Sequence, residues 1–251
     1  MSSQVTMQKV LIIGSGPIRI GHSGAFDDAA CRACNACRQA GLETVMVHCD
    51  PSALAADADM ADRTYLVPLS ASSLTDILVK EKPDALLPAV GGPVALQTAK
   101  ALLESGTLGS LGIRLLGAST AGLATVGDPG AFSELAAMAG LSAPEGRNCK
   151  TIVEVEAMAE AIGYPVFVRA AEPGLPFRHG MAFNVEELRR ITTGGRLPSD
   201  ITGRFRVETA LSGYREIEAA VLRDGANGMQ VAGMAENLDP VGIHSGDSTA
   251  V

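Results

Sequence analysis

The first half of the chain alternates short apolar, β-branched runs with Ala-rich stretches. The runs cover residues 10–13, 44–47, 64–67, 85–90 and 113–116. Between them, residues 27–40, 73–81, 95–105 and a short piece after Ser119 have helical character. Strands that alternate with helical segments predict βαβ units and a mostly parallel sheet, because a parallel strand needs a crossover to return. Gly41, Gly91, Gly92 and Gly117 punctuate the joints, where C-caps and turns belong.

The character changes near Asp128-Pro129-Gly130, which reads as a turn or linker. Beyond it, residues 131–139 and 153–162 read as helices, 164–169 (YPVFVR) as a strand and 185–191 as a helix. Residues 204–209, 216–223 and 230–236 read as consecutive strands of one antiparallel sheet. Such a sheet has an open edge unless another segment pairs with it.

Composition narrows the class. Hydrophobic residues make up 47% of the 251, enough to bury a sizeable core. A net charge of -8 and a pI near 5.0 argue against a nucleic-acid or membrane-surface partner, while leaving room for a small anion held by backbone N–H groups. No run reaches the roughly 18 apolar residues of a membrane span. The polar start MSSQVTMQKV does not read as a signal peptide. Five cysteines, three of them at Cys31, Cys34 and Cys37, fit free thiols in a reducing compartment. A cytoplasmic location is expected.

Few motifs carry chemistry by themselves. Gly14-Ser15-Gly16-Pro17-Ile18-Arg19-Ile20-Gly21 follows the first strand, and Asp50 closes the second, as in a dinucleotide fold. The third glycine falls at Gly21 instead of three residues after Gly16, and Pro17 intrudes, which favours a structural turn. The Cys31–Cys34–Cys37 steps of three lie in a helical segment, whereas iron–sulfur ligands sit on loops that curl around the cluster. The histidines are scattered, and no phosphate-binding loop ending in Gly-Lys is present. Glu216 and Glu218 share one face of a strand. They are either solvated or poised to contact a nucleotide ribose or a cation.

Taken in order, GSGPIRIG, AFD at 25–27, DMADRTY at 59–65, EKPDALLPAVGG at 81–92 and GIRLLGAS at 112–119 resemble the pre-ATP-grasp domain of carbamoyl-phosphate synthase large subunits. YPVFVR, GYREIE at 213–218 and ENLDPVGIHSGDS at 236–248 resemble the ATP-grasp region that follows. The resemblance implies an α/β fold, with a Rossmann-like parallel sheet over residues 1–126, an ATP-grasp small lobe over 127–205 and the start of a large lobe over 206–251. The family is an ATP-dependent, glutamine-hydrolysing ligase. It uses ATP with Mg²⁺ or Mn²⁺ to phosphorylate bicarbonate and carbamate, with ammonia from a glutaminase subunit.

Residue by residue, the resemblance makes Arg169 a phosphate contact and Glu216 the ribose-binding acid. It makes Gly242, Ile243 and His244 a wall of the nucleotide cleft, and Leu211 the hinge residue on the adenine. The departures are as marked. Asp128-Pro129-Gly130-Ala131 replaces an arginine-rich stretch, and Gly174–Gly180, with Pro176 and Phe177, replaces a flexible glycine-rich loop. Thr209 stands where a hinge acid is expected, with Glu208 beside it. The segment bearing the metal-binding glutamine, glutamate and asparagine is not among these residues. The expectation is a protein that is non-catalytic alone and binds a nucleotide weakly. The alternatives are one chain of a split synthase, whose complementary chain carries the rest of the domain, and a Rossmann-type dinucleotide module. A glutaminase subunit or a second copy of the chain is the further expected partner.

Overall fold

The computed structural model describes residues 7–18, 23–126, 128–170, 179–194, 205–224, 228–241 and 248–251. They form two compact units, Met1–Gly127 and Asp128–Val251.

The first unit is built on five parallel strands: β1 (Lys9–Ile13), β2 (Glu43–His48), β3 (Arg63–Leu66), β4 (Ala85–Leu87) and β5 (Arg114–Leu115), in the order β3-β2-β1-β4-β5. Central β1 is apolar throughout because both of its faces are covered. Leu11 and Ile13 pack with Leu74, Leu78 and Leu102 from α2 (Ala71–Glu81) and α3 (Gly92–Glu104). Val10 and Ile12 pack on the other side with Ala30, Cys31 and Cys34 of α1 (Gly24–Gln39). The three-residue spacing of the cysteines is therefore a core-facing helix face, buried at Cys31 and Cys34 and half-buried at Cys37. Two short helices, α4 (Thr107–Leu111) and α5 (Thr120–Val126), complete the unit; α4 went unpredicted because Gly106, Gly109 and Gly112 mask it.

Strand order reverses between β1 and β4, the position where open α/β sheets bind ligands. There the glycine turn is closed by polar contacts. A Cβ on Gly14 would lie 2.0 Å from His48 Cδ2, so only glycine fits. His48 is fully buried, and its Nε2 lies 3.2 Å from Ser15 Oγ while its Nδ1 accepts the Asp50 N–H at 3.0 Å. Asp50 accepts from the Ile18 N–H and from both the N–H and hydroxyl of Ser52. The Ser52 bonds lead in lowering its carboxyl to about 2. The carboxylate that a dinucleotide fold would set on a ribose here pins the turn instead, as the spacing favoured. Gly21 lies outside the described residues.

The second unit holds α6 (Pro129–Met138), β6 (Gly146–Cys149), α7 (Ile152–Ile162), β7 (Val166–Ala170), β8 (His179–Ala182), α8 (Val185–Thr193) and β9 (Phe205–Thr209). Asp128, Thr151 and Asn184 cap the three helices through their side chains. The antiparallel sheet runs β6-β9-β7-β8, with Val166, Val168, Phe205 and Val207 packed on Val155 and Ala159 of α7 and Leu188 of α8. Two strands, β10 (Glu216–Arg223) and β11 (Met229–Asn237), form a separate ribbon. Residues 249–251 pair back with 236–238.

This corrects the expectation of one sheet from the last three predicted strands. β9 pairs with β6 and β7 because its alternation fills two faces: Phe205 and Val207 enter the core, and Arg206 and Glu208 are buried opposite. β10 is exposed along most of its length. The boundary expected between residues 205 and 206 therefore falls inside a strand of the four-stranded sheet. The short strands β6 and β8, rich in Gly and polar residues, carried no strand signal. Asp128-Pro129-Gly130 is a helix start, with Pro129 at its first position.

Candidate functional site

Period-two alternation along β7 sends Val166 and Val168 to the core and turns Phe167 and Arg169 to the opposite face. The ladder sets Phe167 between Met181 on β8 and Glu208 on β9, and Arg169 between His179 and Arg206. On that face lies a cavity of about 60 Å³. Phe167, Met181, Pro144, Leu211 and Val241 form its apolar wall, and Arg169, Glu208 and Thr209 its polar part.

The polar part is a chain of ions. Arg169 pairs with Glu208 Oε1, and its guanidinium stands 5.4 Å from the centre of the Phe167 ring. Glu208 Oε2 accepts from Arg206 Nε at 2.7 Å, and Arg206 donates to Ser133 Oγ of α6 at 3.0 Å. Glu208 and Arg206 are buried, whereas the Arg169 side chain is 44% exposed. Buried charges of this kind persist only when paired, and the sheet supplies both partners. Gly146 lies opposite Glu208 and leaves it room: a Cβ there would sit 2.5 Å from Glu208 Cβ.

Of the residues singled out from sequence, Arg169 and Leu211 meet in this cavity. Glu216 opens β10; it and Glu218 accept from Asn237 Nδ2 at 2.9 and 2.7 Å, so Asn237 joins the two acids. Gly242, Ile243 and His244 lie outside the described residues, although Val241 just before them lines the cavity. The loop 174–180 is described only from His179. Asp128 accepts from the Gly130 and Ala131 N–H groups as the α6 cap. Sequence reasoning missed Phe167 and Met181. The alternation in YPVFVR held the signal for Phe167, since it shares a face with Arg169.

Solved structures of similar fold include carboxylases and synthetases. The biotin carboxylase domain of Hydrogenobacter thermophilus 2-oxoglutarate carboxylase, solved with MgADP, ADP and bicarbonate, matches with a TM-score of 0.67 and 22% identity over 92% of this chain and 50% of its own. An ADP complex of the purK N5-carboxyaminoimidazole ribonucleotide synthetase matches at 0.69 and 14%, over 94% and 55%. Campylobacter jejuni biotin carboxylase matches at 0.65 and 18%, over 92% and 51%. The chain spans about half the length of each, and the likeness defines an ATP-grasp-type fold. The model of the carbamoyl phosphate synthase pre-ATP-grasp domain matches residues 6–125, and that of the carbamoyl-phosphate synthase L chain ATP-binding domain matches residues 128–251. The chain belongs to the carbamoyl-phosphate synthase large-chain family.

Proposed function

We propose that this chain acts as the front section of a carbamoyl-phosphate-synthase-like ATP-grasp protein, binding an adenine nucleotide weakly and transferring no phosphoryl group alone. The observation that carries this reading is the convergence of Arg169 with Phe167, Met181 and Leu211 on one cavity. An apolar slot with a cation at its end suits a flat base joined to an anion. In this reading Phe167, Met181 and Leu211 contact the base, Arg169 meets phosphate, Glu216 meets the ribose, and Gly242, Ile243 and His244 complete the wall. The ADP complexes of the related folds support a nucleotide there.

Two features support weak phosphate binding. The helix that Asp128 caps starts Pro129-Gly130-Ala131, where the resemblance leads one to expect arginines, and Arg169 is already paired with Glu208. Phosphoryl transfer rests on positioning and charge neutralisation, and losing one well-placed donor costs about 10²–10³ in rate. Among the described residues, no three His, Cys, Asp or Glu side chains converge to hold a metal ion. Calorimetric titration with adenosine, ADP and ATP, with and without Mg²⁺, tests the reading. Expected is weak binding of all three, insensitive to Mg²⁺, with Arg169→Ala removing any advantage of ADP over adenosine. Tight Mg²⁺-dependent ATP binding with turnover overturns the non-catalytic part, and failure of all three to bind overturns the nucleotide part.

The ribbon favours a second reading. Ile217, Val221, Val231 and Met234 share one face, and each is at least half exposed. A chain carrying the remainder of the domain would cover such a face. With a glutaminase subunit, it would complete an ATP-dependent synthase acting on bicarbonate. Bicarbonate-dependent ATP hydrolysis on mixing supports this. Its absence, with ultracentrifugation showing a dimer of this chain, assigns the face to a second copy.

A further inference from the structure

The ion pairs beside the cavity are divided unequally. Glu208 gives one carboxylate oxygen to Arg169 and the other to Arg206. Arg206 is 5% exposed, on the same strand as Glu208, and tied as well to Ser133. Arg169 reaches in from the neighbouring strand and is nearly half exposed. We infer that Glu208 is an internal anion that occupies Arg169 until a phosphorylated ligand displaces it, an autoinhibitory clasp on the cavity. The nucleotide reading above supplies the identity of the ligand; the clasp itself rests on the ion geometry.

The division makes the clasp openable. A carboxylate and a phosphate offer an arginine the same kind of charge-assisted acceptor, so one can replace the other. When Arg169 turns to a ligand, Glu208 keeps Arg206, and no buried charge is left without a partner, which is the costly outcome. Solvent reaches the Arg169 side of the pair but not the Glu208 side, so the arginine is the partner that can swing away. Had Glu208 only Arg169, opening would strand a buried carboxylate. Arg206 therefore serves as the holding partner and Arg169 as the releasable one.

The test uses two probes, inorganic pyrophosphate and adenosine, titrated calorimetrically into the full chain. The forms compared are the wild type, Glu208→Gln, and the double variant Arg206→Gln/Glu208→Gln, which removes both buried charges together and keeps the test alive if the single variant fails to fold. Pyrophosphate should bind about fivefold more tightly to the variants, the scale of a partly exposed ion pair. Adding Arg169→Ala should abolish the gain. Unchanged or weaker pyrophosphate binding by a folded variant overturns the clasp. Failure of adenosine to bind any form overturns the nucleotide reading, while the pyrophosphate comparison still decides the clasp.

Discussion

Gly146→Ala probes the packing on which the site depends. The added methyl would lie 2.5 Å from Glu208 Cβ and 2.6 Å from the Val207 carbonyl oxygen. Neither neighbour can rotate away, since one is backbone and the other is the stem of a buried side chain. Strand β6 must then draw back from β9 along the paired positions Gly146↔Glu208 to Cys149↔Phe205. Overpacking of this kind costs about 1–3 kcal/mol, and rigid neighbours put it in the upper half of that range. Replacing glycine restricts the unfolded chain and returns roughly 0.5 kcal/mol, leaving a net loss of about 2 kcal/mol. For a unit of roughly 100–150 residues, each kcal/mol lowers Tm by about 3–5 °C, so the melt should fall by about 6–10 °C. Calorimetry gives the shift, and hydrogen exchange at the β6 and β9 amides assigns it to the second unit. A Tm drop below about 2 °C, with unchanged exchange at those amides, refutes the reasoning, because the sheet would then have absorbed the methyl without loss.

Three further outcomes are expected. Burial pushes the Glu81 carboxyl up, but bonds from Tyr65, Arg63 and Lys9 outweigh it and hold the group below the ordinary glutamate range. Its stabilisation is complete at neutral pH and lost as pH falls through that lowered value. Urea denaturation of Glu81→Gln should therefore show a loss of about 1–3 kcal/mol at pH 7 that shrinks in acid; a gap independent of pH contradicts it. Phe167→Ala should weaken adenosine and ADP alike, by about fivefold to tenfold, and a loss confined to ADP would mean that the ring is no platform for the base. Burial raises the Cys34 thiol to about 12, so a disulfide reagent at pH 8 should reach it only on unfolding, and fast labelling of the native protein would contradict this.

The parallel sheet was legible because its strands are continuous apolar runs between amphipathic helices. The second unit was less so. In β9 the charged Arg206 and Glu208 are nearly as buried as Phe205, and hydrophobicity alone gives no sign that their face is covered. β6 and β8, with sequences GRNC and HGMA, are strands by pairing and not by propensity. Arg169 and Leu211 could be named through family resemblance. The pairing of Arg169 with Glu208 could not, since it depends on the register between β7 and β9, which brings together residues far apart in sequence.

The contacts around His48 carry a warning for any search for reactive serines by distance. Ser15 Oγ is 3.2 Å from His48 Nε2, and an Asp27 oxygen lies 4.0 Å from the same nitrogen, a grouping with the composition of a hydrolytic triad. Its proton is in the wrong place. The Asp50 N–H occupies Nδ1, and burial lowers the ring's pKa and so keeps it neutral, which leaves the hydrogen on Nε2, facing the serine. The imidazole donates to the hydroxyl and cannot take its proton. Asp27 meanwhile accepts from the Leu54 and Ala55 N–H groups instead of orienting the ring from behind. Fluorophosphonate reagents should pass Ser15 by: the residues of a nucleophile are assembled here as a fastening between a turn and a strand.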